Sequence, residues 1–369
     1  MSAGKLGVGV IGTHAWANKA HLPGYVAHEN VDLVAVCDVD EARARAAADT
    51  FGARKVYSSA EEMIADPEVQ MVDVCTPTHT HLPLSLAAIA AGKHVLSEKP
   101  LHTEAGPAFD AAARADAAGV RTKLGFTFRY SPAIRQLKAW IEDGTLGEIY
   151  HINGFEQNSQ WLHPDVPLRQ VPPDADRTSL IPASIVGYGS HLIDLMRWLG
   201  GEFSAVSSSM RNFVPERVVR GEEGRQRIPI DDGTVALVEY VDGPIGTIQT
   251  SYVTVGNYPG VEIRVYGSKG AAIARLISEF GVAETLMHAK PDAVEFVPFE
   301  LTEAALPPGT TLATPWPELY YRNLVRYFVD EIVEGRPQEC TFFDGAKSQE
   351  IVDAIILAHR ERRWVSLGV

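Results

Sequence analysis

Along the first third of the chain, short β-branched apolar runs alternate with alanine-rich stretches whose apolar positions recur at helical spacing. The runs 6–12 (LGVGVIG), 31–38 (VDLVAVCD), 55–58, 71–77 (MVDVCTP), 93–100 (KHVLSEKP) and 120–126 read as strands. Between them, stretches such as DEARARAAADTFG and THLPLSLAAIAAGK read as helices. Ser58 or Ser59, Thr80 and Thr103 are the candidate N-caps, and Gly52, Gly92 and Gly119 stand where helices stop. Strands and helices in strict alternation imply an α/β fold, a doubly wound parallel sheet with helices on both faces and right-handed crossovers.

The period changes after about residue 128. A helix over 131–142 ends at Gly144, GEIYHINGFEQNS begins an alternating strand, and a proline-rich irregular stretch covers 162–182. There follow the helix GSHLIDLMRWLGG and alternating strands at 203–213, 233–241, 245–254, 260–266, 270–276 and 293–299. VDGPIG and GSKG are hairpin connections. Helices at 317–334 and 344–361 close the chain. The expectation is a domain over 1–128 and a second, α+β domain over 129–369 with a large, mostly antiparallel open sheet. Apolar alternation in TVALVEYV and IGTIQTSYVTV leaves one face of that sheet in need of cover, so a homo-oligomer is expected.

Composition narrows the class. At 369 residues there is room for two cores, and 46% hydrophobic with 22% charged residues is the balance of a soluble globular chain. A net charge of −14 argues against a general nucleic-acid binder. Cys37, Cys75 and Cys340 form no metal-ligand spacing and suit reduced thiols in a cytoplasm. No signal-peptide layout and no membrane-length apolar run is present, so the expectation is a cytoplasmic protein without a metal site or a membrane partner.

A literal G-x-G-x-x-G stands at Gly7, Gly9 and Gly12, but it leaves no strand before the turn. The better register makes 6–11 the strand and Gly12 the first turn residue, followed by Thr13, His14, Ala15 and Trp16, with Ala17 at the third small position. His14 occupies the second position, where glycine normally lets a pyrophosphate approach. Either its imidazole donates to a phosphate or ribose oxygen, or the turn is simply wider. Asp38 ends the second strand 26 residues after Gly12, where a carboxylate binds adenosine ribose hydroxyls and repels a 2′-phosphate. NAD is therefore favoured over NADP. Asp40 is the better helix cap, which leaves Asp38 for a ligand.

Thr76-Pro77 and Glu98-Lys99-Pro100 end the fourth and fifth strands, the edge at which such sheets bind ligands. In isolation Lys99 is an ordinary surface cation. Beside a nicotinamide and a substrate hydroxyl, a lysine stabilises developing alkoxide charge or helps move the proton. Glu98 is placed to position Lys99 or the nicotinamide ribose.

The stretch TPTHTHLPLSLAAIAAGKHVLSEKP resembles the signature of the glucose–fructose oxidoreductase / inositol dehydrogenase / MocA (Gfo/Idh/MocA) family. The likeness continues through GFTFRYSPA, GTLGEIYHI, GSHLIDLMRWLGG, EIRVYGSKGAA and AIILAHRERRWVSL. It implies an N-terminal Rossmann domain and a C-terminal domain that binds substrate and pairs subunits, as a dimer or tetramer. It also implies that Thr76, Pro77 and His81 shape the cofactor site, with Thr78 in place of the usual asparagine. A helix-entry histidine is otherwise more often structural. His191 takes the catalytic-histidine position, with Asp194 as its partner; without the resemblance, a buried histidine satisfied by Asp194 is the better reading. The aspartate four residues before that histidine in many members is here Gly187. Tyr188 or the 155–170 loop is then a source of a further group, with Trp161 and His163 lining a sugar site. Arg129 either binds substrate oxygens or is a salt-bridged boundary residue. The implied activity is NAD-dependent hydride transfer to or from a sugar, cyclitol or related polyol, with Lys99 and His191 catalytic. Two alternatives stand: glycoside cleavage or epimerisation through transient oxidation, and a cofactor-binding protein without chemistry.

Overall fold

The computed structural model describes residues 4–168, 176–256, 260–276, 284–302 and 306–368. They form two compact units, one of Met1–Pro132 with Thr302–Glu350 and the other of Ala133–Leu301 with Ile351–Val369.

The first unit is built on β1 (Leu6–Ile11), β2 (Val31–Cys37), β3 (Lys55–Tyr57), β4 (Met71–Val74), β5 (His94–Ser97) and β6 (Thr122–Leu124). All pairs are parallel and the order is β3-β2-β1-β4-β5-β6. Every residue of β1 and β4 is buried, as expected of central strands covered on both faces. The chain leaves β1 toward β2 and β3, then returns to the other side as β4, so the switch point lies at the carboxyl ends of β1 and β4.

The helices are α1 (Leu22–Val26), α2 (Glu41–Phe51), α3 (Ala60–Ala65), α4 (Thr78–Ala90) and α5 (Ala105–Ala118). Asp40 and Ser59 cap α2 and α3 by accepting from Arg43 N and Glu62 N. Thr80 and Thr103 are not caps. Pro77, extended at the end of β4, makes α4 begin at Thr78, and α5 begins at Ala105 after Glu104. Gly52 and Gly119 close α2 and α5 with positive φ, and Gly92 follows the end of α4 in the same conformation.

The second unit starts with α6 (Pro132–Glu142) and β7 (Ile149–Gln157), then α7 (Ser184–Gly187) and α8 (Gly189–Gly200). Its further strands are β8 (Phe203–Arg211), β9 (Glu216–Val218), β10 (Arg225–Arg227), β11 (Gly233–Tyr240), β12 (Ile245–Ser251), β13 (Gly260–Gly267), β14 (Gly270–Leu276), β15 (Thr285–Ala289) and β16 (Val297–Phe299). The chain ends with α9 (Trp316–Glu334), α10 (Phe342–Glu361) and β17 (Val365–Ser366). Nine strands make one sheet in the order β16-β15-β14-β13-β7-β12-β11-β8-β17. Among the described residues of this sheet, only β7 and β12 pair in parallel, and α8 packs on these two.

Two expectations need adjusting. Residues 302–350, placed by sequence within 129–369, cluster with the first unit, because Leu324, Val325, Phe328 and Val329 of α9 join the core that holds Leu22 and Tyr25. The strand expected at 293–299 shortens to β16, and β15 precedes it unforeseen. Only Leu286 of β15 is fully buried, so its alternation is faint. Of the proline-rich stretch 162–182, residues 169–175 lie outside the described residues. Among the described residues, no helix is long and apolar enough to cross a membrane.

Candidate active site

The turn after β1 begins at Gly12, whose φ is +89°. A Cβ there would lie 2.2 Å from the carbonyl oxygen of Cys75, at the end of β4, so both conformation and space demand glycine. Gly7 and Gly9 lie inside β1. A Cβ on Gly7 would strike Glu68 O at 1.9 Å, which makes it a packing glycine and not part of the turn. Thr13 is buried, and His14 and Ala15 are exposed on the turn. Asn18, which sequence reasoning passed over, closes the turn by donating from Nδ2 to Thr13 O at 2.6 Å. The Leu22 amide then reaches back five residues to Ala17 O, a wide π-type turn that leads into α1.

Asp38, at the end of β2, is tied to this turn. Its Oδ2 accepts from Thr13 N at 2.9 Å and Thr13 Oγ1 at 3.1 Å, and Oδ1 accepts from Asp40 N at 3.0 Å. Burial pushes its carboxyl up, but these bonds and Arg43, at 3.4 Å, outweigh it and hold the carboxyl below its ordinary value.

At the ends of β4 and β5, the buried His81 bridges the two loops. Its ring nitrogens each lie 2.7 Å from a carbonyl oxygen, one of Thr76 and the other of Pro100. Pro77 is exposed, while Thr76, Glu98 and Lys99 are half-buried. Glu98 Oε1 accepts from His21 Nε2 at 3.0 Å, Trp16 Nε1 at 3.2 Å and the Tyr321 hydroxyl, and Oε2 accepts from Lys99 N at 3.2 Å. Burial alone would raise this carboxyl; His21, Tyr321 and the Lys99 charge bring it down to about 2. The sign follows from linkage. A depressed carboxylate stabilises the fold above its unfolded value of about 4.5 and loses that contribution as pH falls toward about 2. Chemical denaturation at stepped pH is expected to show the stability gap between wild type and Glu98→Gln closing across this window; a constant gap contradicts the assignment.

Arg129 is buried, and its Nη2 lies 3.3 Å from Asp344 Oδ1.

In the second unit, α7 is fixed by Asp231, at the start of β11. Its Oδ1 accepts from Ala183 N and, at 2.9 Å, Ser184 N; its Oδ2 accepts from Ser184 Oγ at 2.5 Å and Thr234 Oγ1 at 2.7 Å. α8 follows directly, with His191 N donating to Tyr188 O at 2.9 Å. His191 and Asp194 are both buried on α8. Trp161 meets the Tyr252 ring edge-on at 4.5 Å between centroids, Tyr188 meets it at 5.9 Å, and His163 is exposed.

Tyr252 was not foreseen. Its hydroxyl donates to Ala183 O at 3.1 Å and stands 2.7 Å from where a Cβ on Gly187 would be. The space in which a side chain at 187 would begin is thus held by a phenol from the end of β12. Gly187→Ala is expected to destabilise the chain by about 1–3 kcal/mol through overpacking. Tyr252→Phe in the same chain should relieve much of that loss. Melting curves of the single and double variants check this, and additive losses contradict it.

Among the described residues, no group of three or more His, Cys, Asp or Glu is arranged to hold a metal ion. A parallel sheet of this order, with a positive-φ glycine turn at its switch point, defines a dinucleotide-binding protein. Residues 6–126 match the model of an oxidoreductase family with an NAD-binding Rossmann fold, and 134–273 match that family's C-terminal domain. Levoglucosan dehydrogenase of Pseudarthrobacter phenanthrenivorans is 27% identical over 98% of each chain. Inositol 2-dehydrogenase of Mycolicibacterium smegmatis is 30% identical over 73% of this chain and 71% of its own. The solved structure of an NAD binding oxidoreductase from Klebsiella pneumoniae is 26% identical with a TM-score of 0.84, covering 99% of this chain and 100% of that one. The chain belongs to the Gfo/Idh/MocA oxidoreductase family.

Proposed function

We propose that the protein is a cytoplasmic NAD-dependent dehydrogenase of a sugar, cyclitol or related polyol. The observation that carries the cofactor is the positive-φ glycine turn at Gly12, packed too closely on the end of β4 for any Cβ, at the switch point of a parallel sheet. The residues fit NAD: the backbone of 12–16 would hold the pyrophosphate, and Asp38 would take the adenosine ribose. Thr13 and Arg43 crowd Oδ2 while Asp40 N takes one position on Oδ1, so acceptor capacity for a hydroxyl remains on Oδ1. Thr76, Pro77, His81 and Glu98 shape the nicotinamide end. When bound, NAD takes up the hydride of the substrate carbinol.

Lys99 acts as an ammonium that stabilises charge on the carbinol oxygen, and His191 accepts that oxygen's proton. Trp161, His163, Tyr188 and Asp194 are assigned to the substrate side. Arg129, paired with Asp344 through Nη2, is assigned either to substrate oxygens or to that ion pair. The dehydrogenase names of two relatives, one matched over nearly its full length and one over about seven-tenths of it, support the substrate class. The three cysteines are buried and, among the described residues, form no disulfide, in keeping with a reducing compartment. Val235 and Leu237 of β11 and Ile245 of β12 are 48%, 50% and 51% exposed on one sheet face, which supports a homo-oligomer covering it.

The test is NADH absorbance with a panel of monosaccharides, anhydrosugars and inositols. Sustained NADH formation with at least one of them is expected. NAD retained on the protein while substrate is consumed without net NADH favours transient oxidation instead.

A further inference from the structure

His21 has no part in the hydride transfer proposed above, yet it is fixed at both ring nitrogens. It is fully buried, and each ring nitrogen faces a carboxylate: Nδ1 lies 2.8 Å from Asp73 Oδ2 and Nε2 lies 3.0 Å from Glu98 Oε1. A neutral imidazole carries one N–H, so its other nitrogen would turn a lone pair toward a carboxylate oxygen. Two N–H groups satisfy both contacts.

We propose that His21 is a positioning residue for the active site, a two-ended donor braced on Asp73 that fixes the Glu98 carboxylate and, through it, the backbone of Lys99. The inference rests on the dehydrogenase reading for what Lys99 does, but the strut itself stands on geometry. Asp73 is an acid in the otherwise apolar β4, and Tyr25 of α1 donates to the same Oδ2 at 2.8 Å. Glu98 in turn collects Trp16 from the turn after β1, Tyr321 from α9 and the Lys99 amide from its own loop. One carboxylate therefore joins three segments that contribute to the cofactor end of the sheet, and His21 supplies its charged donor.

The ionisable groups around His21 are Asp73 and Cys75 at β4, Tyr321 on α9 and Glu98 beyond β5, with Tyr25 of α1 bonded to Asp73 and the Lys99 charge acting on Glu98. Burial alone would lower its pKa; the Asp73 carboxylate, with further help from Cys75, raises it well above 6.5.

Nitrogen NMR of the whole chain with labelled histidine tests this directly, the His21 signals being those missing from His21→Gln. Both ring nitrogens are expected to remain protonated through neutral pH; signals that titrate like an ordinary imidazole overturn the proposal. A cycle of His21→Gln, Glu98→Gln and the double variant provides the second readout. If His21 acts through Glu98, kcat falls about tenfold or more in each single variant, and the double variant is no worse than the poorer single. Multiplicative losses overturn it.

Should His21→Gln not fold, Tyr321→Phe removes a donor from the same oxygen without stranding a charge, and it is expected to lower kcat severalfold with the melting temperature retained. An unchanged kcat there overturns the proposal. Calorimetry with NAD separates the two readings: a doubly protonated His21 in a chain with no NAD affinity upholds the strut and overturns the dehydrogenase assignment.

Discussion

Lys99→Ala is expected to lower kcat/KM by about a hundredfold or more, the usual worth of a group that manages charge or a proton in the transition state. Lys99 is half-buried at the end of β5 and shares its backbone amide with the Glu98 carboxylate. The charge of Lys99 is among the causes that depress Glu98. An ammonium suits an oxygen that gains negative charge as its carbon gives up hydride. The Lys99→Arg variant keeps the charge but spreads it over a planar fork, so an intermediate loss is expected. Progress curves of NADH formation, with melting curves to show an intact fold, check both. A loss under about tenfold for Lys99→Ala contradicts the role.

The largest effect on stability is expected at Glu331→Gln. Lys123 Nζ lies 2.6 Å from Glu331 Oε1 and 2.9 Å from the Tyr130 hydroxyl, with Lys123 fully buried and Glu331 nearly so. The ammonium also stands 5.6 Å from the Phe328 ring centroid. Burial pushes Lys123 down from its ordinary value and Glu331 up, and each partner's charge opposes the shift of the other. Neutralising Glu331 leaves a buried cation without its hydrogen-bonded counter-charge, the Glu339 carboxylate acting on it only at longer range, a change that typically costs about 3–5 kcal/mol. The double replacement Lys123→Met with Glu331→Leu removes both charges and is expected to recover most of that loss. Denaturant unfolding of the three variants measures it. A single variant within about 1 kcal/mol of wild type contradicts the account of this pair.

The fold of the first unit was legible because each strand and helix carries its own period and its own punctuation. Asp40, Ser59, Gly52 and Gly119 do locally what their chemistry predicts. The turn register could be read because Gly7, Val8, Gly9, Val10 and Ile11 make sense only as a buried strand. The role of α9 could not be read, since an amphipathic helix does not declare which core it joins. His21 and Tyr321 were missed for a related reason: their partners Asp73 and Glu98 are distant in sequence. Asp73 alone gave a signal, an acid within a strand otherwise made of Met and Val, which had to find a donor. Tyr252 was hidden in the same way. Gly187 could be noticed from the sequence, but what occupies the space beside it depends on the end of a strand more than sixty residues later.

The most direct measurement follows an isotope. A substrate found in the NADH assay would be prepared with deuterium on the carbinol carbon and turned over with unlabelled NAD, and the coenzyme would be weighed by mass spectrometry. The account predicts reduced coenzyme carrying one deuterium for each substrate molecule oxidised. Deuterium lost to water, or returned to the product with the coenzyme left oxidised, contradicts it.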